Sequence, residues 1–303
     1  LDRKAVIIIG GPTAVGKTAA AIAVAQHFQT EIISADSRQC YREMSIGVAR
    51  PSAEELAAVP HHFIASHSVT ENVTAATFEQ YALEKAAQIF ETNNVVVMTG
   101  GTGLYLQAFC EGFDPIPDVP ETIREKVRQQ YALKGLSWLQ DEVAKHDPLF
   151  FAQGEVANPQ RLMRALEVFL ATGKSIFTFR TGVKKKRPFN IIKIALELDK
   201  ETLHQRINRR VEIMMEESQL DEVKKLLPFR HLNALQTVGY RELFAYLDGN
   251  IALEAAVQAI QQNTRQYAKR QLTWFRRDGA YQWFHPAATE SILAYVHQQL
   301  NEQ

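Results

Sequence analysis

One octet constrains this chain more than any other feature. Gly11-Pro12-Thr13-Ala14-Val15-Gly16-Lys17-Thr18 fits the pattern G-x-x-x-x-G-K-[ST], and it closely follows the apolar run Ala5-Val6-Ile7-Ile8-Ile9. A β-branched run, a glycine-rich turn and an alanine-rich stretch supply the strand, loop and helix that this motif needs. The glycines let successive N–H groups turn toward one anion. The helix dipole and the Lys17 charge add positive potential at the same place. Thr18 can offer its hydroxyl to a Mg²⁺ on the same phosphates. Residues Gly11, Pro12, Thr13, Ala14, Val15, Gly16, Lys17 and Thr18 are therefore expected to bind a di- or triphosphate, with the owner of that phosphate left open between ATP and another donor.

The stretch around this loop alternates strand and helix. Ala5–Ile9 reads as a strand, Lys17–Phe28 as a helix and Glu31–Ser34 as a strand; Phe63-Ile64 is a weak strand, and His61-His62 reads as loop. Thr74–Thr92 reads as a helix, and Val95–Met98 as a short buried strand running into Thr99-Gly100-Gly101. Such alternation predicts a parallel sheet with helices on both faces, and ligands then sit at the carboxyl ends of the strands. Three motifs fall at such ends: Gly11–Thr18, Asp36-Ser37-Arg38-Gln39, and Thr99-Gly100-Gly101-Thr102-Gly103.

A stiff connection follows, with Pro115, Pro117 and Pro120 close together. From Glu121 to about Thr178 the periodicity is helical throughout. Phe189–Leu198 reads as a strand, Thr202–Glu217, Leu220–Leu227, Tyr240–Leu247 and Leu253–Arg277 as helices, and Tyr281–His285 as a strand before a final helix. The expected fold is α/β: a parallel sheet of the P-loop NTPase type, with helices on both faces and an inserted helical domain. Residues 1–117 plus 188–303 make the core with its C-terminal helices, and residues 118–187 make the insertion.

Composition excludes several classes. Lys+Arg and Asp+Glu are 34 each, so the net charge is zero, which argues against a protein that coats nucleic acid indiscriminately. Two cysteines, Cys40 and Cys110, stand without metal-ligand spacing, so a reducing cytoplasm is the default compartment. No apolar run approaches the roughly 20 residues of a membrane span. No membrane is expected as a partner, and monomer is the default state.

Asp36 follows a strand beside the phosphate loop, where a carboxylate can bind Mg²⁺, cap a helix or act as general base. The strand Val95–Met98 lacks the terminal Asp with which P-loop nucleoside triphosphatases hold Mg²⁺ through water, which weakens an ATPase reading. Arg161 and Arg164 lie three apart on one helix face, open to either an anionic partner or solvent. Arg206, Arg209 and Arg210 share one helix, with Arg206 and Arg210 at i,i+4 where like charges repel, a pattern open to either an anionic partner or solvated arginines. Thr172-Gly173-Lys174-Ser175 imitates a phosphate-loop tail, but Gly173 is better explained as a helix C-cap.

Taken in order, several stretches closely resemble the tRNA dimethylallyltransferase family of bacterial type. They are Gly11–Thr18, Asp36–Gln39, Gly100-Gly101-Thr102-Gly103-Leu104-Tyr105, Gln160-Arg161-Leu162-Met163-Arg164-Ala165-Leu166-Glu167, Val238-Gly239-Tyr240-Arg241-Glu242, and Tyr267–Arg276. The chain departs from the family where Ile64 is followed by Ala65-Ser66 rather than by an Asp, and where Val48 stands in place of a common Thr. The resemblance implies transfer of a dimethylallyl group from dimethylallyl diphosphate to N6 of adenosine 37, in the anticodon stem-loop of tRNA. It implies Asp36 as general base, and Lys17, Thr18 and Arg210 on the diphosphate with Mg²⁺. It further implies tRNA contacts from Asp36, Ser37, Arg38, Gln39, Thr102, Arg124, Gln160, Arg161, Leu162, Met163 and Arg164, with the insertion as a clamp on the loop. The rivals are a prenyltransferase acting on free AMP or ATP, a small-molecule kinase, and a nucleotide-switch or RNA-binding module without chemistry.

Overall fold

The structure, a computed structural model, describes residues 4–302. In chain order its elements are β1 (Ala5–Gly10), α1 (Lys17–His27), β2 (Ile32–Ser34), α2 (Ala53–Ala58), β3 (His61–His62), α3 (Ala75–Ile89), β4 (Val95–Gly100), α4 (Gly103–Glu111), α5 (Glu121–His146), α6 (Pro148–Gln153), α7 (Pro159–Thr172), β5 (Asn190–Leu196), α8 (Lys200–Glu216), α9 (Gln219–Lys225), α10 (Arg241–Leu247), α11 (Leu253–Arg276), β6 (Gln282–Phe284) and α12 (Thr289–Asn301). Two compact units result: Leu1–Glu111 with Lys186–Gln303, and Gly112–Lys185.

In the first unit the strands form a sheet in the order β3-β2-β4-β1-β5-β6, with every pair parallel. Parallel strands covered on both faces read as continuous apolar runs, and β1 and β4 are buried at every residue. Alternate residues of these strands enter opposite layers. Val6, Ile8, Val96 and Met98 join one cluster with Phe78 of α3, Phe109 of α4 and Phe275 of α11. Ile7, Ile9, Val95 and Val97 join the other with Val24 of α1, Leu203 of α8 and Val296 of α12. Truncating one of these isoleucines to alanine costs about 2–5 kcal/mol.

The expected parallel sheet with helices on both faces is thus present, with two local differences. The strand beside β2 is His61–His62 rather than Phe63-Ile64: His61 and His62 pair with Ile32 and Ile33. Phe63 takes a left-handed φ of 62°, which ends the strand. Two helices escaped the periodicity. The short α2 buries no residue and is held by a capping box between Ser52 and Glu55; α4 follows directly on the glycine-rich turn after β4.

The second unit has its own core, with Val127, Leu139, Val143, Phe150, Leu162 and Leu166 buried together. Its helicity is not continuous. Gly135, at φ 76° and ψ −167°, breaks α5, and Ile176–Phe179 is a 3-10 turn. Gly173 closes α7 in the left-handed conformation, as its place after the last apolar turn predicts. Asp114 ties the ends of the unit together by accepting hydrogen bonds from Thr181 N at 2.9 Å and Gly182 N at 3.2 Å.

Candidate active site

The sheet register decides what meets what. Gly10 of β1 lies opposite Gly100 of β4 and Ala195 of β5, and Thr99 lies opposite Ser34 of β2. Three strands therefore release their loops at one edge, and those loops carry Gly11–Thr18, Asp36–Gln39 and Gly101–Thr102. Small residues at this edge are a packing requirement. A Cβ on Gly100 would lie 2.2 Å from the Ala35 carbonyl oxygen. A Cβ on Gly11, whose φ is +142°, would lie 2.8 Å from the Leu196 carbonyl oxygen.

The phosphate loop leads into a helix start with no side-chain cap. Gly16 caps α1 at φ 109°, no side chain accepts from the first turn, and that turn holds no acidic residue. By contrast α7 and α8 are capped by Asn158 and Asp199. The first N–H groups of α1 are thus left for a ligand, where the dipole favours an anion. Lys17 Nζ donates to Pro12 O at 2.7 Å. Loss of hydration, then the nearby Arg210 charge, pull the Lys17 amine down to about 7 against the opposing influence of Asp36. Arg210 Nη1 reaches Thr13 Oγ1 at 3.5 Å, and Arg206 Nη1 reaches Val15 O at 3.3 Å. Burial also lowers the Arg210 pKa. Arg206 and Arg210 of α8 thus face the loop, while Arg209 pairs with Glu212 at 3.1 Å near the surface. The cradle holds more positive charge than its surroundings neutralise, which is the electrostatic condition for a polyanionic ligand.

Asp36 is fixed through one oxygen. Its Oδ1 accepts from Arg38 N at 2.8 Å and Gln39 N at 3.2 Å. Oδ2 has no hydrogen-bond partner among the described residues, and the residue lines the same cavity as Lys17 and Thr18. Thr102 Oγ1 accepts from Ser37 N at 3.0 Å, so the turn after β4 holds the turn after β2. Gln39 Nε2 donates to Ala49 O at 2.8 Å and Val48 O at 3.3 Å. Its amide is held by these carbonyls while the residue lines the cavity. Arg38 is half-buried, and its guanidinium has no partner among the described residues.

The cavity measures about 770 Å³ and is lined by the phosphate loop, Asp36, Arg206, Arg210, Tyr267 and the stretch Ser45–Ser52. Burial, and then the Asp36 charge, push the Tyr267 phenol up to about 12. The loop of Ser45, Ile46 and Gly47 is anchored by Glu222, whose carboxylate accepts from their N–H groups at 2.8, 2.8 and 3.1 Å.

In the helical unit, Arg161 is exposed and pairs with Glu155 at 2.5 Å; Arg164 is half-buried and lies 3.7 Å from Glu167. Arg124 lies 3.8 Å from Glu121, and its buried Nε has no partner among the described residues. Gln160 is exposed. Leu162 and Met163 correct an expectation: they are 0% and 7% exposed and belong to the core of this unit, so their side chains offer almost no surface to a tRNA. Arg187 also lies outside the helical unit, which ends at Lys185 rather than at residue 187. It sits in the first unit, donates to Phe109 O at 2.7 Å and Ala108 O at 2.8 Å, and so caps the end of α4 while pairing with Glu79.

Sequence reasoning missed the role of Gln271. Its Oε1 accepts from Thr13 N at 2.8 Å and its Nε2 donates to Gly101 O at 2.9 Å, so one buried amide bridges two of the three site loops. The available signal was weak: a glutamine between Arg270 and Leu272, within a motif that carried no assigned chemistry.

A parallel sheet with a glycine-rich phosphate loop after its first strand, and helices on both faces, defines a P-loop α/β protein. The family model described as IPP transferase matches residues 39–278. A Phocaeicola vulgatus protein named tRNA dimethylallyltransferase 1 is 44% identical over 291 residues, covering 96% of this chain and 97% of its own length. A Bacteroides thetaiotaomicron protein of the same name is 47% identical over 290 residues, at 96% and 94% coverage. Among solved structures, the full-length tRNA isopentenylpyrophosphate transferase of Bacillus halodurans superposes with a TM-score of 0.74 at 36% identity, covering 99% of this chain and 98% of its own. A eukaryotic dimethylallyltransferase acting on tRNA gives 0.78 at 25% identity, with 99% and 80% covered. The chain belongs to the IPP transferase family.

Proposed function

We propose that this enzyme transfers a dimethylallyl group from dimethylallyl diphosphate to N6 of adenosine 37 in the anticodon loop of tRNA, giving N6-dimethylallyladenosine and diphosphate. One observation carries the reading: a single cavity joins a cationic cradle, an aspartate with a free oxygen, and apolar side chains. A phosphorylated branched hydrocarbon and an amine nucleophile together need all three.

The diphosphate lies in the loop Gly11–Thr18, against the open start of α1, with Lys17 and Arg210 opposing the charge that builds as it leaves. That anion restores the protonated form of Lys17. Among the described residues no cluster of His, Cys, Asp or Glu is arranged to hold a metal by itself. Thr18 lines the cavity, and its hydroxyl has no hydrogen-bond partner among the described residues. This donor set suits a Mg²⁺ bound through the Thr18 hydroxyl, phosphate oxygens and water. There the ion would neutralise the leaving diphosphate.

The N6 lone pair forms the new N–C bond as the allylic C–O bond breaks, and the N6 proton passes to Asp36 Oδ2. Oδ1, held by Arg38 N and Gln39 N, keeps the carboxylate aimed. A base inside a stacked loop must leave the stack to reach this cavity. The helical unit, Gly112–Lys185, acts as the clamp on the anticodon stem-loop, through Arg124, Gln160, Arg161 and Arg164. Ser37, Arg38, Gln39 and Thr102 belong to the acceptor side in this reading, with Gln39 beside Asp36 in the cavity lining. The enzyme works as a monomer in the cytoplasm, where its acceptor is.

The test is direct. Protein, Mg²⁺ and dimethylallyl diphosphate are incubated with tRNA and separately with AMP, and the products are read by mass spectrometry. A gain of one dimethylallyl group on adenosine 37 supports the reading. Modified AMP with unmodified tRNA rejects it in favour of an adenylate prenyltransferase.

A further inference from the structure

Beyond the anion cradle and Asp36, the cavity has an apolar wall. Ile46, Val48, Ile213 and Met214 line it, and Ile213 is 38% exposed although it faces a concavity. Ile46 and Val48 lie on a stretch with neither helix nor strand, so no ladder fixes their depth. Side chains fix it instead, the main one from a distant helix. Glu222 of α9 accepts from Ser45 N, Ile46 N and Gly47 N at 2.8, 2.8 and 3.1 Å, and from the Tyr240 hydroxyl at 2.6 Å. Tyr240 is fully buried, and a Cβ on Gly47 would lie 2.8 Å from its ring. Arg50 Nη2 holds the other flank by donating to Tyr41 O at 2.8 Å and Met44 O at 2.5 Å.

Three successive N–H groups converging on one carboxylate form an anion nest filled from within the protein. Charge-assisted bonds of this kind are short and directional, and a carboxylate has lone pairs enough for all four donors. An amide has one oxygen for the same four, and alanine has none. We propose that Glu222 is a positioning residue: it sets the depth of the Ile46–Val48 wall and thereby restricts the donor to a short prenyl chain. The inference rests on the reading of this cavity as the donor site and adds a determinant of chain length to it.

The test compares wild type, Glu222→Ala, Glu222→Gln and Ile46→Ala in transfer to tRNA. The donors are dimethylallyl diphosphate and the ten-carbon geranyl diphosphate, with inorganic diphosphate as competitive inhibitor. Glu222→Ala is expected to lower the five- over ten-carbon preference in kcat/KM about tenfold, with Glu222→Gln between it and wild type. Ile46→Ala, which keeps the Glu222 anchor, is expected to lower the preference as well. Inhibition by inorganic diphosphate stays within about twofold in every variant, because the cradle is untouched. An unchanged preference in Glu222→Ala overturns the inference, and so does an equal loss of inorganic diphosphate binding, which would mean general collapse of the site. Should Glu222→Ala not fold, an unchanged preference in both other variants overturns it equally. Wild type that transfers no prenyl group from either donor sinks the donor-site reading and this inference together. Wild type that transfers, with variants that keep its preference, sinks this inference alone.

Discussion

The sheet unit and the helical unit both carry prominent arginines, and several of them are held in contrasting ways. In the sheet unit, Arg206, Arg50 and Arg187 donate to backbone carbonyls, and Arg210 reaches the Thr13 hydroxyl. The Arg187 side chain is only 9% exposed. In the helical unit, Arg128 and Arg161 are 56% and 62% exposed and pair with Glu121 and Glu155 across solvent. A cation locked to the backbone in a poorly hydrated site acts at nearly full strength and needs no rearrangement when charge develops. An exposed pair contributes at most about 1 kcal/mol and exchanges its partner readily. The first arrangement suits chemistry on a small anion; the second suits a large polyanion whose phosphates replace carboxylates one for one.

The sharpest way to break this contrast is at Asp36. Asp36→Ala should lower kcat by about 10³-fold while the tRNA Kd moves less than about threefold. Equal loss of both would mean that Asp36 organises the acceptor side rather than taking the proton. Next comes Lys17→Met, expected to reduce kcat/KM for the prenyl donor by about 10²- to 10³-fold in steady-state assays. In the helical unit, Arg161→Ala with Arg164→Ala should raise the tRNA KM about tenfold and leave kcat unchanged. Its slope of log affinity against log salt should fall by about 1.4, two phosphates' worth on a single strand. A fall in kcat instead would erase the distinction between the units.

Smaller effects sharpen it further. Gln271→Ala leaves the buried Thr13 N–H without its acceptor, so it should cost about 1–3 kcal/mol in denaturant unfolding. Donor KM should rise as the two loops lose their bridge. The smallest effect is expected at Glu167, whose buried carboxyl has a raised pKa despite Arg164 and Arg124. Its favourable contribution is present at acid pH and is lost as pH rises through the raised value, so the ionised form weighs against folding at neutral pH. Glu167→Gln should therefore raise Tm by no more than about 2 °C at pH 8, with the gain vanishing near pH 4. A drop at pH 8 would mean that the arginine pairs outweigh the burial.

Much of the site was legible because its chemistry is local. The octet Gly11–Thr18 and the short run Asp36–Gln39 carry their geometry in adjacent residues, and the apolar runs of β1 and β4 announce strands covered on both faces. What escaped was held by contacts of long range or by weak local signals. The pairing of His61 and His62 with β2 is decided by the left-handed turn at Phe63, not by a β-branched run. Leu162 and Met163 took their expected role from a motif that also holds Arg161 and Arg164, although the helical period of Leu162, Leu166 and Phe169 already marks Leu162 as core.

By itself the chain's order of residues determined the glycine-rich loop at the start of α1, the parallel layering and the place of Asp36, since these follow from turns, periods and neighbours along the backbone. Tertiary structure alone decided that Gln271 joins Thr13 to Gly101, that Glu222 anchors Ser45–Gly47, and that Arg187 caps α4 rather than facing solvent. The reason is physical. A polar side chain on an amphipathic helix has the same local propensity whether it meets water or a distant loop, and its partner is fixed only when the sheet register brings that loop to it.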